Sequence, residues 1–599
     1  MRGSEGNNSM RYVMLMVMIA CSIAVLADDA GLEARRAELK KVLAEDWEYQ
    51  LRTFPEMATQ IGDKRYNDRL TDHSPEAIAT QLQHEKEFLA KLERIDTTGF
   101  PEQEKLNKAL VVRDLKDDIE RAKFKDWEMP ANQFYGPHHA YVSLATDAPF
   151  DSVKDYEDYI ARLRQVPHAL DQAMANMRQG MRDKLMPPRY LLEKVAIQAQ
   201  SIADAPIDDS PFAKPVKKFP AIVPEKEQVR LRDQIFSAIK NDVLPAYAKY
   251  AKFVKTEYAP QGRTDAGVWA LPSGDERYRF AVRQQTTTNL SPEQVHEMGL
   301  RNVAEIEAEM LKIARQQGFS DIKSFNASIR KNEKLYATSG KQLVDLYQHY
   351  ADQMSEKLPQ LFGTLPKNKL VVVPMEAFRQ ADAVPADYSI GAGDGSRPGR
   401  INVNEYDPKH RLLLNVEAIA YHEGLPGHHL QFSIMQELAD LPPVRKFGLD
   451  YNAFSEGWAF YSERLGKDVG FYQDPYSDYG RLQNEMWRAV RLVVDTGVHY
   501  KKWTRDQMVE YFREHTAMDE PNIQTEVDRY IAWPAQALSY KLGQMKILEL
   551  RERSKRELGD QFDIRAFHDA VLGDGALPLD ELEKKIDGWI AARKGAAAK

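Results

Sequence analysis

Cysteine is nearly missing from this 599-residue chain, which has only Cys21. That residue sits in an apolar run after Arg11, "YVMLMVMIACSIAVLA", which is too short for a comfortable membrane span. Val25-Leu26-Ala27, ahead of "DDAGLE", supplies the −3 and −1 residues of a signal-peptidase site. Residues 1–27 therefore read as a signal peptide, with Met10 as an alternative start, and the protein as exported, periplasmic or secreted. A lipid anchor at Cys21 is the competing reading. Cleavage after Ala27 leaves no cysteine, which excludes disulfides, a thiol nucleophile and cysteine-ligated zinc. A second long apolar run, an internal repeat and low-complexity tracts are also missing, so the processed chain is expected to be soluble, with no stable membrane span.

A surplus of positive charge is absent too. Lys and Arg number 82 against 90 Asp and Glu, for a net charge of −8. No broad basic surface is available for a phosphate backbone, and nucleic acid is not an expected partner. With 43% hydrophobic residues, the chain is globular and longer than one core usually supports. Two regions are expected: an N-terminal helical region, 28–260, and a mostly helical region, 261–599, that carries the chemistry.

The fold class is mainly α. In "SVKDYEDYIARLRQVPHALDQAMANMRQGM", Tyr156, Tyr159, Leu163, Leu170 and Met174 form a stripe at helical period, which is core packing. "DAPIDDSPFAKPVKKFPAIVPEKEQ" carries five prolines and reads as a loop. Strand character is confined to three stretches: "GVWALPSGDERYRFAVRQQTTT", "NKLVVVPM" and "GRINVNEYD". The last alternates Ile401 and Val403 with asparagines, and as an exposed edge strand it would align a peptide backbone. "RLLLNVEAIAYHEG" follows as a helix, with Leu413, Val416 and Ala420 on its apolar face and Glu417 off it.

Three of the 14 histidines fall within "YHEGLPGHHLQ". A catalytic zinc site needs three N or O ligands, an open position for water and a carboxylate to take the water's proton. The usual helical arrangement is His-Glu-x-x-His, because residues i and i+4 share a face. Here His428 follows His422 by six positions, and on an unbroken helix it would point about 120° away; His429 would return to within about 20° but sit roughly 10 Å along the axis. Pro426 and Gly427 preclude an undisturbed helix, and a bulge would bring His428 into register, leaving His429 as the alternative. In "NAFSEGWAFYSERL", Glu456 lies among Phe454, Trp458 and Phe460, where a cation would neutralise it. Glu463 reads as an outer acceptor or an alternative ligand. Further on, Arg529, Gln536 and Tyr540 share a helical face if Pro534 does not break it. Arg529 there suits a substrate carboxylate. Arg488, Arg491, Asp495 and His499 form a charged face that either braces the site or satisfies itself, the last two being further alternatives for the metal or its outer shell.

These stretches, with "RLQNEMWRAVRLVVDTGVHYKKW", "RYIAWPAQALSYKLG", "GDKRYNDRLTDHSPE" and "TTTNLSPEQVHEMGL", resemble the bacterial family catalogued as domain of unknown function 885, which includes exported proteins and lipoproteins. A more distant resemblance is to helical gluzincin peptidases of the oligopeptidase and angiotensin-converting-enzyme type. Gly427-His428 and Leu430-Gln431 match the end of their zinc helix, and Ser455-Glu456 matches their later glutamate helix. Two extra residues between Glu423 and His428 are the departure. The resemblance implies a large zincin-like (neurolysin-like) helical fold with a cleft and a small β element beside the metal helix. It also implies one Zn2+ on His422, His428 and Glu456, Glu423 as general base, and Tyr540 as a donor to the oxyanion.

The expected function is an exported zinc metallopeptidase acting on short peptides. The alternatives are a metal-dependent hydrolase of a non-peptide amide and a non-catalytic metal- or peptide-binding protein. Two imidazoles and a carboxylate would also suit cobalt or manganese.

Overall fold

The computed structural model describes residues 31–375, 380, 383–391, 397–449 and 451–597. The expected signal peptide, with Cys21, lies outside the described residues. Helix accounts for 72% and strand for 3%, so the walls of any site come from helices and one small sheet. Among the described residues, no helix is long and apolar enough to cross a membrane.

The tyrosine stripe lies on a long helix, α1 (Val153–Asp183), capped by the Ser152 side chain. Tyr156, Tyr159, Leu163, Leu170 and Met174 are all buried as that periodicity requires, packing with Val195, Ile235 and Tyr250 in a core whose buried members span residues 131–259. A second core joins distant parts of the chain. Leu39 and Leu51, from the helix over 31–53, pack with Trp458, Tyr461, Ile547 and Leu550. The proline-rich stretch holds three short helical turns, Ile207–Asp209, Pro211–Ala213 and Lys214–Lys217, and runs into a helix at Glu225–Ala238.

"GVWALPSGDERYRFAVRQQTTT" is helical, contrary to its strand-like composition: a short 3-10 turn (Val268–Ala270) precedes α2 (Gly274–Thr286). Tyr278, Val282 and Thr286 are buried at four-residue intervals, so the aromatic and β-branched residues fill one helical stripe. α3 (Pro292–Gln316) then packs along a later helix, α7 (Pro475–His499), through Val303, Met310, Met486, Val490 and Val493.

The other two strand expectations hold. β1 (Leu370–Pro374), β2 (Ala386–Ser389) and β3 (Gly399–Val403) form one sheet in the order β1-β3-β2. β1 runs parallel to β3, with Leu370 opposite Gly399, and β2 runs antiparallel, with Ala386 opposite Val403. The stretch "GRINVN" is therefore the central strand, not an edge. Ile401 and Val403 are fully buried beneath the next helix, α4 (Val416–Glu423).

α4 is buried around almost its whole circumference. Glu417, expected off the apolar face, is buried as well and accepts hydrogen bonds from Tyr421 Oη (3.0 Å), the Tyr472 amide (3.3 Å) and Ser477 Oγ. Three hydroxyl and amide donors make its burial tolerable. After α4 come α5 (His428–Glu437), α6 (Asn452–Asp468), α7, α8 (Glu520–Ala532) and α9 (Leu538–Leu558).

Candidate metal centre

Between His422 and His428 the helix breaks and does not bulge. α4 ends at Glu423, the Leu425–Pro426 peptide is cis, and α5 begins afresh at His428. The turn closes tightly on the end of α4, since the Gly427 amide donates to the Tyr421 carbonyl at 3.0 Å. A β-carbon at Gly427 would lie 1.9 Å from the carbonyl oxygen of His422, so only glycine fits there. The two extra residues are thus absorbed by a reversal that brings both imidazoles to one point.

α6 supplies the third group and also fixes the turn. Its Trp458 indole N–H donates to the Pro426 carbonyl oxygen at 2.9 Å, and Ser462 Oγ donates to the same oxygen at 3.2 Å. Two residues before Trp458, Glu456 reaches both histidines: its Oε2 is 3.6 Å from His422 Nε2 and 3.5 Å from His428 Nε2. The rings of His422 and His428 are nearly perpendicular, with centroids 5.0 Å apart. One ligand atom from each of the three residues lies within 4.8 Å of the other two.

The donor set fits a zinc ion. Tetrahedral ligands at bond lengths of about 2.0–2.1 Å are spaced by about 3.3–3.4 Å, close to the 3.6 and 3.5 Å that separate Glu456 Oε2 from the two imidazole nitrogens. Glu456 Oε2 is buried and, among the described residues, has no hydrogen-bond partner. Burial opposes charge on both His422 and Glu456, yet their mutual contacts override it: Glu456 and Glu463 raise the His422 pKa to about 9, and the two histidines hold Glu456 well below the carboxylate range. The constellation attracts positive charge.

Glu463, about two turns beyond Glu456 on α6, accepts from His422 Nδ1 at 2.9 Å and from Asn484 at 3.3 Å. It is an outer acceptor that orients the imidazole so that Nε2 faces Glu456. Glu423 is half-buried; burial raises its pKa, with His422 and His428 opposing and Glu456 and Asp387 reinforcing the rise. Glu423 thus feels the charge of all three members of the triad without being one of them.

The alternatives to these ligands lie elsewhere. His429 Nε2 donates to the Asn368 carbonyl at 3.1 Å, so Nδ1 accepts from Tyr388 Oη at 3.0 Å. Both ring nitrogens are committed, and burial lowers the pKa to about 4, so His429 is a neutral strut and not a ligand. Asp495 accepts from Tyr278 Oη at 2.7 Å and from the Ala535 amide at 3.1 Å. His499 bridges the Tyr530 carbonyl and the Val268 amide. These two hold α2 and the turn after α8 against α7, away from the histidine pair.

Arg529, Gln536 and Tyr540 do converge, but not along one helical face. α8 ends at Ala532 and α9 starts at Leu538, and the reversal between them brings Arg529 Nη2 to 2.9 Å from Gln536 Oε1 and 3.3 Å from Tyr540 Oη. Tyr540 lies parallel to His422 with centroids 6.4 Å apart. Its position depends on a close crossing of α6 and α9. A β-carbon on Gly543 would be 1.9 Å from the Ala453 carbonyl oxygen, and one on Gly457 would be 2.5 Å from Gly543 Cα.

Arg488 and Arg491 also pack against the Tyr540 ring, with Cζ atoms 5.9 and 4.5 Å from its centre. Arg491 donates from Nη2 to Glu526 (3.1 Å) and from Nε to Tyr530 Oη (2.9 Å), while Arg488 Nη2 is 3.9 Å from Glu463. Sequence reasoning missed Glu526, Asn484 and the Trp458–Pro426 bond. Spacing carries no signal for them, because each acts across two helices.

The comparisons with known proteins agree with this architecture. A crystal structure called "the putative lipoprotein from Colwellia psychrerythraea" is 28% identical, with a TM-score of 0.89 over 93% of this chain and 99% of that one. A structure called "a putative lipoprotein of unknown function from Shewanella oneidensis" shares the fold at 18% identity, with a TM-score of 0.71 over 91% and 98% of the two chains. No curated protein matches. A family profile described as "Bacterial protein of unknown function (DUF885)" matches residues 55–586, and the chain belongs to that family.

Proposed function

We propose that the protein is an exported zinc-dependent metallopeptidase, acting on short peptides in a helical fold of the zincin type. The reading rests on one observation: two imidazoles and a carboxylate, from three different helices, converge within 4.8 Å, and a second carboxylate, Glu423, directly follows His422 in the chain. Export is supported by the apolar N-terminal run and by the lipoprotein naming of the similar structures.

His422, His428 and Glu456 would hold the ion, with Glu463 keeping His422 oriented. Bound there, zinc supplies Lewis-acid polarisation of a carbonyl and lowers the pKa of water. Glu423 takes the proton from the attacking water and returns it to the leaving amine, for which burial gives it a raised affinity for protons. Tyr540, parallel to His422, donates its hydroxyl to the developing oxyanion. The likeness to gluzincin peptidases in "HEGLPGHHLQ" and "FSEGWAF" points the same way.

The test is metal content and peptide turnover, measured together. One zinc per chain, lost in His422→Ala and in Glu456→Ala, is expected. Glu423→Gln should keep the zinc and lose hydrolysis of a mixed peptide library by about 10²–10⁴-fold. Full activity in Glu423→Gln, or zinc retained in both ligand variants, would overturn the proposal.

A further inference from the structure

The loop over residues 130–136 has its polarity inside out. Asn132 and Gln133 are 5% and 8% exposed, while the next two residues, Phe134 and Tyr135, are 38% and 44% exposed. The amides go in and the aromatic rings stand in water, the reverse of what burial favours. Specific bonds hold the loop this way. Asn132 Oδ1 accepts from the amides of Phe134 (2.8 Å) and Tyr135 (3.0 Å), and the Asn132 amide donates to the Tyr135 carbonyl at 2.9 Å. Gln133 donates from Nε2 to the Asp528 carbonyl at 3.0 Å and leaves Oε1 buried, with no hydrogen-bond partner among the described residues. A loop that strands a buried polar atom while displaying two rings is shaped for contact with another molecule.

The displayed rings meet a third. Trp533, directly after α8, is 40% exposed, and its ring stands edge-on to that of Tyr135 at 5.9 Å. Tyr135 Oη donates to the Ala532 carbonyl at 3.4 Å, so the loop is tied to α8 at two carbonyls, those of Asp528 and Ala532. The same end of α8 leads to the candidate metal centre. Trp533 is one helical turn, about 6 Å, beyond Arg529, and its amide donates to the Arg529 carbonyl at 2.9 Å. Arg529 Nη2 is 3.3 Å from Tyr540 Oη, whose ring is parallel to that of His422. An extended peptide advances about 3.3 Å per residue, so about eight residues cover the steps from His422 through Tyr540 and Arg529 to Trp533.

We infer that Phe134, Tyr135 and Trp533 form an aromatic subsite that grips one apolar or aromatic side chain of the substrate, several residues from the scissile bond. This deepens the peptidase reading and rests on it for the ligand being a peptide. The bonds within the loop fix the rings in advance, so little freedom is lost on binding, and a side chain seated against them takes apolar surface of both partners out of water. Selection is by the apolarity of one substrate residue, at a position that the metal does not touch.

The test uses octapeptides of alanine and serine in which a single phenylalanine is moved through the eight positions, with the phenylalanine-free peptide as reference. Binding to zinc-loaded Glu423→Gln protein is measured by calorimetry, and hydrolysis of the same set by the unsubstituted protein is followed alongside. Phenylalanine at one position or two adjacent ones is expected to tighten binding by about 10- to 100-fold. Adding Trp533→Ser or Tyr135→Ser should shrink that gain to within about 2-fold. Both side chains are exposed, so the variants are expected to fold, and unchanged melting temperatures verify it. Binding indifferent to phenylalanine at every position, binding of no peptide, or a gain kept in either variant overturns the subsite. Self-association in the ultracentrifuge that Trp533→Ser abolishes would give the rings to a second copy of the chain and overturn it too. Phenylalanine-dependent binding without hydrolysis keeps the subsite and removes the peptidase reading. Hydrolysis indifferent to phenylalanine keeps that reading and removes the subsite.

Discussion

Trp458 donates its indole N–H to the carbonyl oxygen of Pro426 at 2.9 Å, so the helix that presents Glu456 also holds the turn between His422 and His428. One element thereby sets the relative position of all three candidate ligands. Replacing Trp458 by Phe keeps most of the buried ring and removes the donor, leaving Ser462 alone on that carbonyl. Zinc affinity, measured by competition with a chromophoric chelator, is expected to fall by about 10-fold or more, as for other outer-shell changes. Unchanged affinity would show that the turn keeps its form without this bond.

The two adjacent histidines should separate cleanly. His428 points Nε2 at Glu456, whereas His429 has both nitrogens occupied by Asn368 and Tyr388. His428→Ala is expected to abolish stoichiometric zinc after dialysis. His429→Ala should keep the zinc but lose about 1–3 kcal/mol of stability to denaturant, the usual penalty for stranding buried partners. The reverse pattern of metal loss would reassign the second ligand.

Why the site was partly legible in the sequence follows from how local each feature is. A His-Glu pair, a second His and a Ser-Glu within an apolar stretch announce themselves by chemistry, and the stripe from Tyr156 to Met174 by period. The form of the turn does not, because Gly427 fits against the His422 carbonyl only once Trp458 and Ser462 pin Pro426 from another helix. A bulge and a break satisfy the same spacing. Likewise Tyr278, Val282 and Thr286 suit burial in strand or helix, and only the packing of α2 decides. The centrality of β3 depends on β1 and β2, whose pairing the alternation of Ile401 and Val403 cannot reveal. Arg529, Gln536 and Tyr540 meet through a chain reversal, where a helical face was the simplest expectation.

The crossing of α6 and α9 offers a sharper structural test. Gly543→Ala places a methyl group 1.9 Å from the Ala453 carbonyl oxygen, which is backbone and cannot swing aside. Separation of the two helices must follow, carrying Tyr540 away from His422. A stability loss of about 3 kcal/mol or more is expected, at the upper end of overpacking effects, with peptide turnover falling further than zinc content. Thermal unfolding and turnover indistinguishable from the unsubstituted protein would mean that the crossing is looser than these distances require.

Asp46, on the helix over 31–53, gives the stability a pH dependence whose sign is fixed. The residue is buried, and burial raises its pKa from 3.8 to about 6, with Gln50 opposing and Asp118 adding to the rise. Well below pH 3.8 the carboxyl is protonated in the folded and unfolded chain alike, and the shift has no effect. As pH climbs toward 6 the unfolded chain releases its proton first, so folding loses stability, by at most about 3 kcal/mol once both forms are ionised. Asp46→Asn removes the charge and keeps an oxygen for Gln50 Nε2, which donates to Asp46 at 2.8 Å. The variant should therefore melt at a higher temperature than the parent at pH 8, with the gap narrowing through pH 6 and closing near pH 4. Calorimetric scans at those three values decide it, and a variant no more stable at pH 8 would mean that the Asp46 carboxylate is solvated in the folded protein.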